Sequence, residues 1–506
     1  MVHCTTPILK YAYKNKESIL FAALSITLSA LFLLVWFQIG LSDSLSAEGY
    51  EEWNHHYVSM NQYGILANSL INGHFYLDLP VPEELLALDN PYDFSSRYAI
   101  GSEAVPIFWD FAFYEGKYYC YFGVVPAVLL FVPFQLITGH MLSSSLATAF
   151  LGPVVAFASV SLVRNIASCY FPKTSTLAVA TCCILFFAGC NVIYGATLPR
   201  FYSVAILSAM AFTFWGISLC LSAKKASSAS GRISTPRIAL GCSFLAASIG
   251  CRPQFALSLF LVFVIFWNEI RHQRLLFSKK GLKPTIVTCF SVLAVLTLLL
   301  AYNVARFGSP LNMGSHYNLT GFDMQSYNQD LGCTLHLLYQ YTLEPPNLSR
   351  SFPFFESNPF VDKYGWSPHE PMYGGYLWFC PFLLAPALAP IALKRIQKTQ
   401  GALPLITICL FFATAILLID TRNAGISQRY ICDFGWYVSL ASIAILMSIM
   451  QDAKRNAKVV IAAKILIVVS ISFSLMLGGL TIYAPDRYDS IAQLNPSLWE
   501  SISSIF

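Results

Sequence analysis

This sequence predicts an all-α polytopic membrane protein with about eleven transmembrane helices, one re-entrant or interfacial segment and two larger extracytoplasmic loops. Three observations predict it. The 506 residues are 56% hydrophobic and 11% charged, where a soluble chain carries about a quarter charged residues. Apolar runs of bilayer-spanning length recur along the chain. Clusters of Lys and Arg punctuate those runs, as cytoplasmic loops do.

The spanning runs lie at 18–40, 143–163, 175–194, 201–222, 238–251, 254–270, 285–303, 375–393, 402–420, 431–450 and 459–482. The first is too long for a signal-peptide core and no small-residue cleavage site follows it, so it reads as a retained span. Basic clusters at Lys10/Lys14/Lys16, Arg164/Lys173, Lys224/Lys225/Arg232/Arg237, Arg271/Arg274/Lys279/Lys280/Lys283, Lys394/Arg395/Lys398 and Lys454/Arg455/Lys458 are expected to face the cytoplasm. A further apolar stretch, 121–139, carries Pro126 and Pro133 between Gly123 and Gly139. If it crossed, Arg164 and Lys173 would fall outside and every later cluster would invert. It is therefore expected to dip or lie flat, its freed backbone groups buried in protein.

The organisation follows. Residues 1–40 form a cytoplasmic amino terminus and first span, and 41–142 an extracytoplasmic loop with an amphipathic helix and the re-entrant segment 121–139. Residues 143–303 form a transmembrane core, 304–374 a second extracytoplasmic loop, 375–482 the C-terminal helices and 483–506 an extracytoplasmic tail. This topology puts 23 of the 26 acids outside or at the outer edge, leaving only Glu17, Glu269 and Asp452 inside. Insertion rules count Lys and Arg and hardly Asp and Glu, so the skew points to function on the outer face. Most of the fourteen cysteines sit in apolar runs as small packing residues, and no disulfide framework is expected.

The outer loop opens with YVSMNQYGILANSLING, in which Tyr63, Leu66, Leu70 and Ile71 share one helical face and Gly73 ends the helix. This reads as an amphipathic helix in the outer interface. After it come Tyr, Phe, Trp and Asp in HFYLDLPVPEELLALDNPYDF and WDFAFYEGKYY. Aromatic faces beside carboxylates suit a sugar ring, with Tyr76, Trp109 and Tyr118 as contacts; the plainer reading is interfacial aromatics. Lone arginines stand at the outer ends of spans: Arg200, Arg252, Arg306 and Arg429. A phosphate matches a guanidinium fork, and Lys117 adds a fifth candidate cation; snorkelling or a structural carboxylate is the alternative for each.

Other signals are weak. His55 and His56 beside Glu51 and Glu52 lack helical ligand spacing, and the sequons at Asn318 and Asn347 are short patterns. No Walker loop, GxGxxG, GxSxG or HExxH is present, which leaves nucleotide and hydrolase chemistry unsupported. Acids are nearly absent from the span interiors, against an ion-coupled transporter.

The segments GKYYCYFGVVPAVLLFVP and RYICDFGWY, with RFYSVAI, GCRPQ and YNVARFGSPLNMG, resemble the GT-C membrane glycosyltransferases. The likeness is to a bacterial branch of the protein O-mannosyltransferase and aminoarabinose transferase group, and it runs over most of the chain. It implies an inverting transfer of a sugar from a polyprenyl-phosphate donor to a glycan, lipid or protein acceptor on the outer face of the cell membrane. No cofactor is required, a divalent metal remains an option without a ligand cluster, and no nucleic acid partner is expected. One departure matters: where the family carries an Asp-Glu pair at the start of the amphipathic helix, this chain has Asn61-Gln62. The base then comes from Asp78, Asp110 or Asp93, in that order of preference, or the pair corresponds to Glu51-Glu52. Competing readings are a lipid-linked glycan or lipid transporter and a catalytically inactive scaffold.

Overall fold

The structure, a computed structural model, describes residues 7–40, 50–53, 56–59, 61–100, 107–451, 457–484 and 490–506. The chain enters through α1 (Pro7–Gly40) and reaches a hairpin of β1 (Tyr50–Trp53) and β2 (His56–Ser59). Then come α2 (Gln62–Ile71), α3 (Glu83–Leu86) and α4 (Phe94–Ile100). A second hairpin pairs β3 (Ala112–Tyr114) with β4 (Lys117–Tyr119). Its two-residue turn, Glu115-Gly116, has φ of 48° and 70°, the left-handed pair that matches the twist of the strands. These two small hairpins are the strands that an all-helical expectation did not include.

A π-helical turn, Ala127–Phe131, runs into α5 (Val132–Thr138), and α6 (Ser144–Tyr170) follows. Next are α7 (Thr176–Gly189), α8 (Val192–Thr197), α9 (Phe201–Ser230) and α10 (Thr235–Ile249). A 3₁₀ run over Pro253–Phe260 leads into α11 (Leu261–Ile265) and α12 (Trp267–Arg271), then α13 (Leu282–Phe307). The second loop holds α14 (Leu331–Thr342). The chain returns through α15 (Tyr376–Phe379), a 3₁₀ run over Pro381–Leu388 and α16 (Ala389–Lys398). It finishes with α17 (Ala402–Ala424), α18 (Ile431–Met450), α19 (Ala457–Tyr483), α20 (Ile491–Leu494) and α21 (Pro496–Ser503).

Seven described helices are long and apolar enough to cross a membrane: Lys16–Ile39, Ser144–Tyr170, Phe201–Ser228, Leu282–Phe307, Ala402–Ala424, Gln428–Met450 and Ala457–Tyr483. The expected spans at 254–270 and 375–393 are broken. Pro253 opens the first, and Pro381 and Pro386 sit in the second, where each removes a backbone donor. The 3₁₀ rise of about 2 Å per residue compensates, so 253–271 still reaches roughly 30 Å.

Contacts at the two ends of the bundle bear on 121–139. At one end, Trp36 Nε1 donates to the Ser145 carbonyl at 3.0 Å, joining the end of α1 to the start of α6. At the other, Thr176 Oγ1 donates to Glu17 Oε1 at 2.5 Å, joining the start of α1 to the start of α7. Helix α6 therefore runs the full length between them, and the end of α1 and the start of α6 lie at the same end, hereafter the loop end. The helical part of 121–139, Ala127–Thr138, is about 18 Å long at 1.5 Å per residue, short of a crossing. Gly139, with φ of 74°, closes it. It docks at the C-terminal end of α10: Val125 N–H donates to the Gly250 carbonyl at 3.0 Å, and a Cβ on Gly123 would stand 2.1 Å from that oxygen.

The bundle is built around α18. Of its apolar window 94% is buried, against 83% for α9 and 6% for α13, which lies on the periphery against α10. Small side chains let neighbours approach α18 closely: a Cβ on Gly189 of α7 would stand 2.3 Å from Ser439 Oγ.

Candidate active site

The loop end gathers acids and arginines that are far apart in sequence. Helix α2 starts it. Asn61 caps the helix, accepting from Gly64 N–H at 3.3 Å, and its amide donates to the Leu142 carbonyl at 3.0 Å. At the other end, His74 N–H reaches the Ser69 carbonyl and Gly73 N–H that of Leu70, with Gly73 at φ 87°, so the expected glycine stop is met. The helix does not turn its polar side to water. Gln62 is buried and donates to the backbone carbonyl of Asp110 at 3.0 Å. Asn61 and Gln62 thus hold backbone in place, a task two amides do well.

Asp110 is the centre of the arrangement. It is 7% exposed and sits at φ 59°, a left-handed conformation that costs a non-glycine residue about 1 kcal/mol or more. Gln62 and the second loop hold it there: Asp110 N–H donates to the Leu319 carbonyl at 2.8 Å. Its Oδ1 accepts from Asn318 Nδ2 at 3.1 Å and its Oδ2 from the Tyr202 hydroxyl. Asn318 is buried with its amide engaged, so this sequon is not open to glycosylation. The amide of Asn347 is likewise held, by the Ser357 carbonyl at 3.1 Å.

Tyr202, in the first turn of α9, leads to the cations. Arg429 lies 3.9 Å over its ring. Arg429 pairs with Glu370 Oε1 at 2.6 Å and donates to Tyr430 Oη at 3.2 Å. Arg252, from the tight turn after α10, stands 5.7 Å over the same Tyr430 ring that Arg429 faces at 5.1 Å. Its Nε and Nη2 form a fork on the Asp433 carboxylate at 2.5 and 2.6 Å, leaving Nη1 outside the pair. Asp420 lies beside that pair and takes a hydrogen bond from Gln254. Tyr121, at the start of the dipping segment, is within electrostatic reach of Tyr430, Arg252, Asp110 and Arg429, and burial pushes its phenol up to about 12.

The other expected residues take different places. Asp78 is 47% exposed and pairs with His74 at 3.2 Å. Asp93 caps α4, accepting from Ser96 N–H at 2.8 Å and its hydroxyl at 2.6 Å; these bonds hold its carboxyl below the usual range. Arg306 donates to the Cys120 carbonyl at 2.9 Å and to Asn303 Oδ1 at 2.9 Å, fixing the strand end β4. Arg200 is fully buried at the start of α9. Lys117 is exposed, 4.4 Å over the Tyr76 ring, which also stacks on His74 at 4.1 Å. Trp109 meets Phe94 edge-on at 5.8 Å, and Tyr118 is buried among Phe108, Phe111 and Phe113. The side chains of Glu51, Glu52 and His56, and all of His55, lie outside the described residues. No group of three or more His, Cys, Asp or Glu that could hold a metal is found among the described residues.

Sequence reasoning missed Tyr202, Arg97, Asn318, Glu370 and Tyr430. Arg97 had a signal: it is a lone arginine in the first loop, apart from the basic clusters. Fully buried, it bridges the two loops by donating to the carbonyls of Pro91 at 2.8 Å and Thr320. Burial brings its guanidinium down to about 10.

No protein-family model matches the chain, and no curated protein matches it. Among solved structures, it is similar to the crystal structure of ArnT from Cupriavidus metallidurans bound to undecaprenyl phosphate, at 12% identity and a TM-score of 0.38, covering 94% of this chain and 73% of that one. At that likeness no residue correspondence follows, and the roles below come from this chain's own geometry.

Proposed function

We propose that this protein is an inverting glycosyltransferase that takes a sugar from a polyprenyl-phosphate donor at the loop end, on the extracytoplasmic face. The observation that carries the reading is a buried carboxylate and two arginines joined through shared tyrosines: Asp110 to Tyr202 to Arg429, and Arg429 to Tyr430 to Arg252. The basic clusters between spans support the orientation.

The chemistry asks for little more. Asp110 keeps lone pairs beyond those used by Tyr202 and Asn318, and takes the proton of the acceptor hydroxyl. The acceptor oxygen bonds to the anomeric carbon as the bond to the donor phosphate breaks, and polyprenyl phosphate leaves as an anion. Arg429 and the open Nη1 of Arg252 stabilise that charge in a site closed to most water, where such donors contribute several kcal/mol. Asp110 replaces Asp78 as the preferred base because it is buried beside the cations, whereas Asp78 faces outward with His74.

Reconstitution with radiolabelled polyprenyl-phosphate sugars tests this. Asp110→Asn is expected to lower transfer by about 10²- to 10⁴-fold without loss of folded protein, and Asp78→Asn by no more than a few-fold. Wild-type transfer by Asp110→Asn would remove the base assignment. Absence of transfer from every donor would favour a transporter or scaffold.

A further inference from the structure

Tyr202 touches both halves of the proposed chemistry at once. Its hydroxyl donates to Asp110 Oδ2, and its ring carries the Arg429 guanidinium at 3.9 Å. The ring is itself fixed, edge-on to Phe122 of the dipping segment at 5.5 Å and against Phe201 at 4.1 Å. It enters the site from the first turn of α9, while Asp110 comes from the first loop and Arg429 from the turn before α18.

We propose that Tyr202 is a positioning residue that sets the base and the phosphate-binding cation in register, its hydroxyl aiming Asp110 and its ring face seating Arg429. The inference rests on the reading of Asp110 and Arg429 given above. The two contacts are separable because they use different parts of one side chain. A phenol O–H directed at a carboxylate favours the ionised form, so its removal leaves a more basic and less fixed carboxylate. The ring face attracts the guanidinium through its quadrupole and needs no hydroxyl.

Other groups also face Asp110. Arg97 from α4 and Tyr121 from the dipping segment are within electrostatic reach, and Asn318 and Gln62 supply fixed dipoles. All of these remain when the Tyr202 hydroxyl is removed, so a shift of the rate profile on that change reports the hydroxyl.

The experiment compares wild type, Tyr202→Phe and Tyr202→Leu, purified at full length and reconstituted. Sugar transfer is followed against pH, and binding of undecaprenyl phosphate is titrated beside undecaprenol, which lacks the phosphate. Tyr202→Phe is expected to lower kcat about tenfold or more and to move the acid limb of the rate–pH profile upward. It should bind undecaprenyl phosphate as wild type does. Tyr202→Leu is expected to share the kcat loss and also to weaken undecaprenyl phosphate, but not undecaprenol, about fivefold. If Tyr202→Phe keeps the wild-type kcat and profile, or Tyr202→Leu binds the phosphate normally, the positioning role is overturned while the functional reading stands. Should the wild type transfer nothing, the binding arm still decides the ring's part. A wild type that neither transfers nor prefers the phosphate over the alcohol overturns both.

Discussion

Asp93 and Arg97 stand four residues apart and show how differently two charged residues of one loop are used. Asp93 is a helix cap near the surface, and its carboxyl is held down by Ser96. The sign follows from that lowering. The cap's contribution is fully present above the unfolded value of about 3.9 and is lost as pH falls through the lower folded value. Asp93→Ala is expected to cost about 1 kcal/mol in thermal unfolding in detergent at neutral pH, and Asp93→Asn much less, because an amide oxygen also caps. Arg97 is buried and joins two loops through carbonyls. Arg97→Ala leaves both acceptors without their charged donor, so a loss of about 3 kcal/mol is expected by the same measurement. The residue scale is also where the sequence was least legible. That Asp110 is a strained, buried acid depends on Gln62, Asn318 and Tyr202, none of which is within 40 residues of it. A local pattern cannot report a partner 92 residues away.

At the scale of elements the sequence was much more legible. Spans are long and periodic, and their positions follow from the cost of backbone in hydrocarbon. The expected run at 143–163 begins within a residue of Ser144, and counting basic clusters set 121–139 apart from the spans. What the pattern could not show was why that segment stays where it is. Gly123 and Gly250 bring two backbones together with no room for a side chain. Gly123→Ala forces a Cβ onto a carbonyl oxygen, and the expected outcome is an undocked segment with new protease sites between 121 and 139 in the folded remainder. Normal protease resistance in that variant would show that the docking is not required. The amphipathic helix was legible in position and in its glycine stop, but its polar side is used inward. A hydrophobic pattern distinguishes faces; it does not say whether the polar face meets water or a buried backbone carbonyl such as that of Asp110.

At the scale of the whole molecule, the Arg252–Asp433 fork ties the turn after α10 to α18 across 181 residues. Removing one partner leaves a buried charge alone, so Arg252→Ala is expected to cost about 3 to 5 kcal/mol of stability. The pair Arg252→Met with Asp433→Leu should recover most of that stability, because no lone charge remains, yet recover little sugar transfer. Recovery of both would assign Arg252 to the scaffold alone. Membrane-impermeant labelling of single cysteines at His140 and Lys173 provides a second check, since the end-to-end contacts of α6 require the two positions to react from opposite faces of the membrane.

Helix α13 lies at the periphery of the bundle with only 6% of its apolar window buried, but its last turn grips the strand that precedes the dipping segment, through Arg306 and the Cys120 carbonyl. Its Leu299 also packs within reach of Gly250. Helices relieve a mismatch with a thinner or thicker bilayer by tilting, and a tilt of α13 would move the backbone at Cys120 that Arg306 holds. Acyl-chain length in the host membrane would then tune turnover without any ligand at all, a dependence readable in nanodiscs of graded thickness.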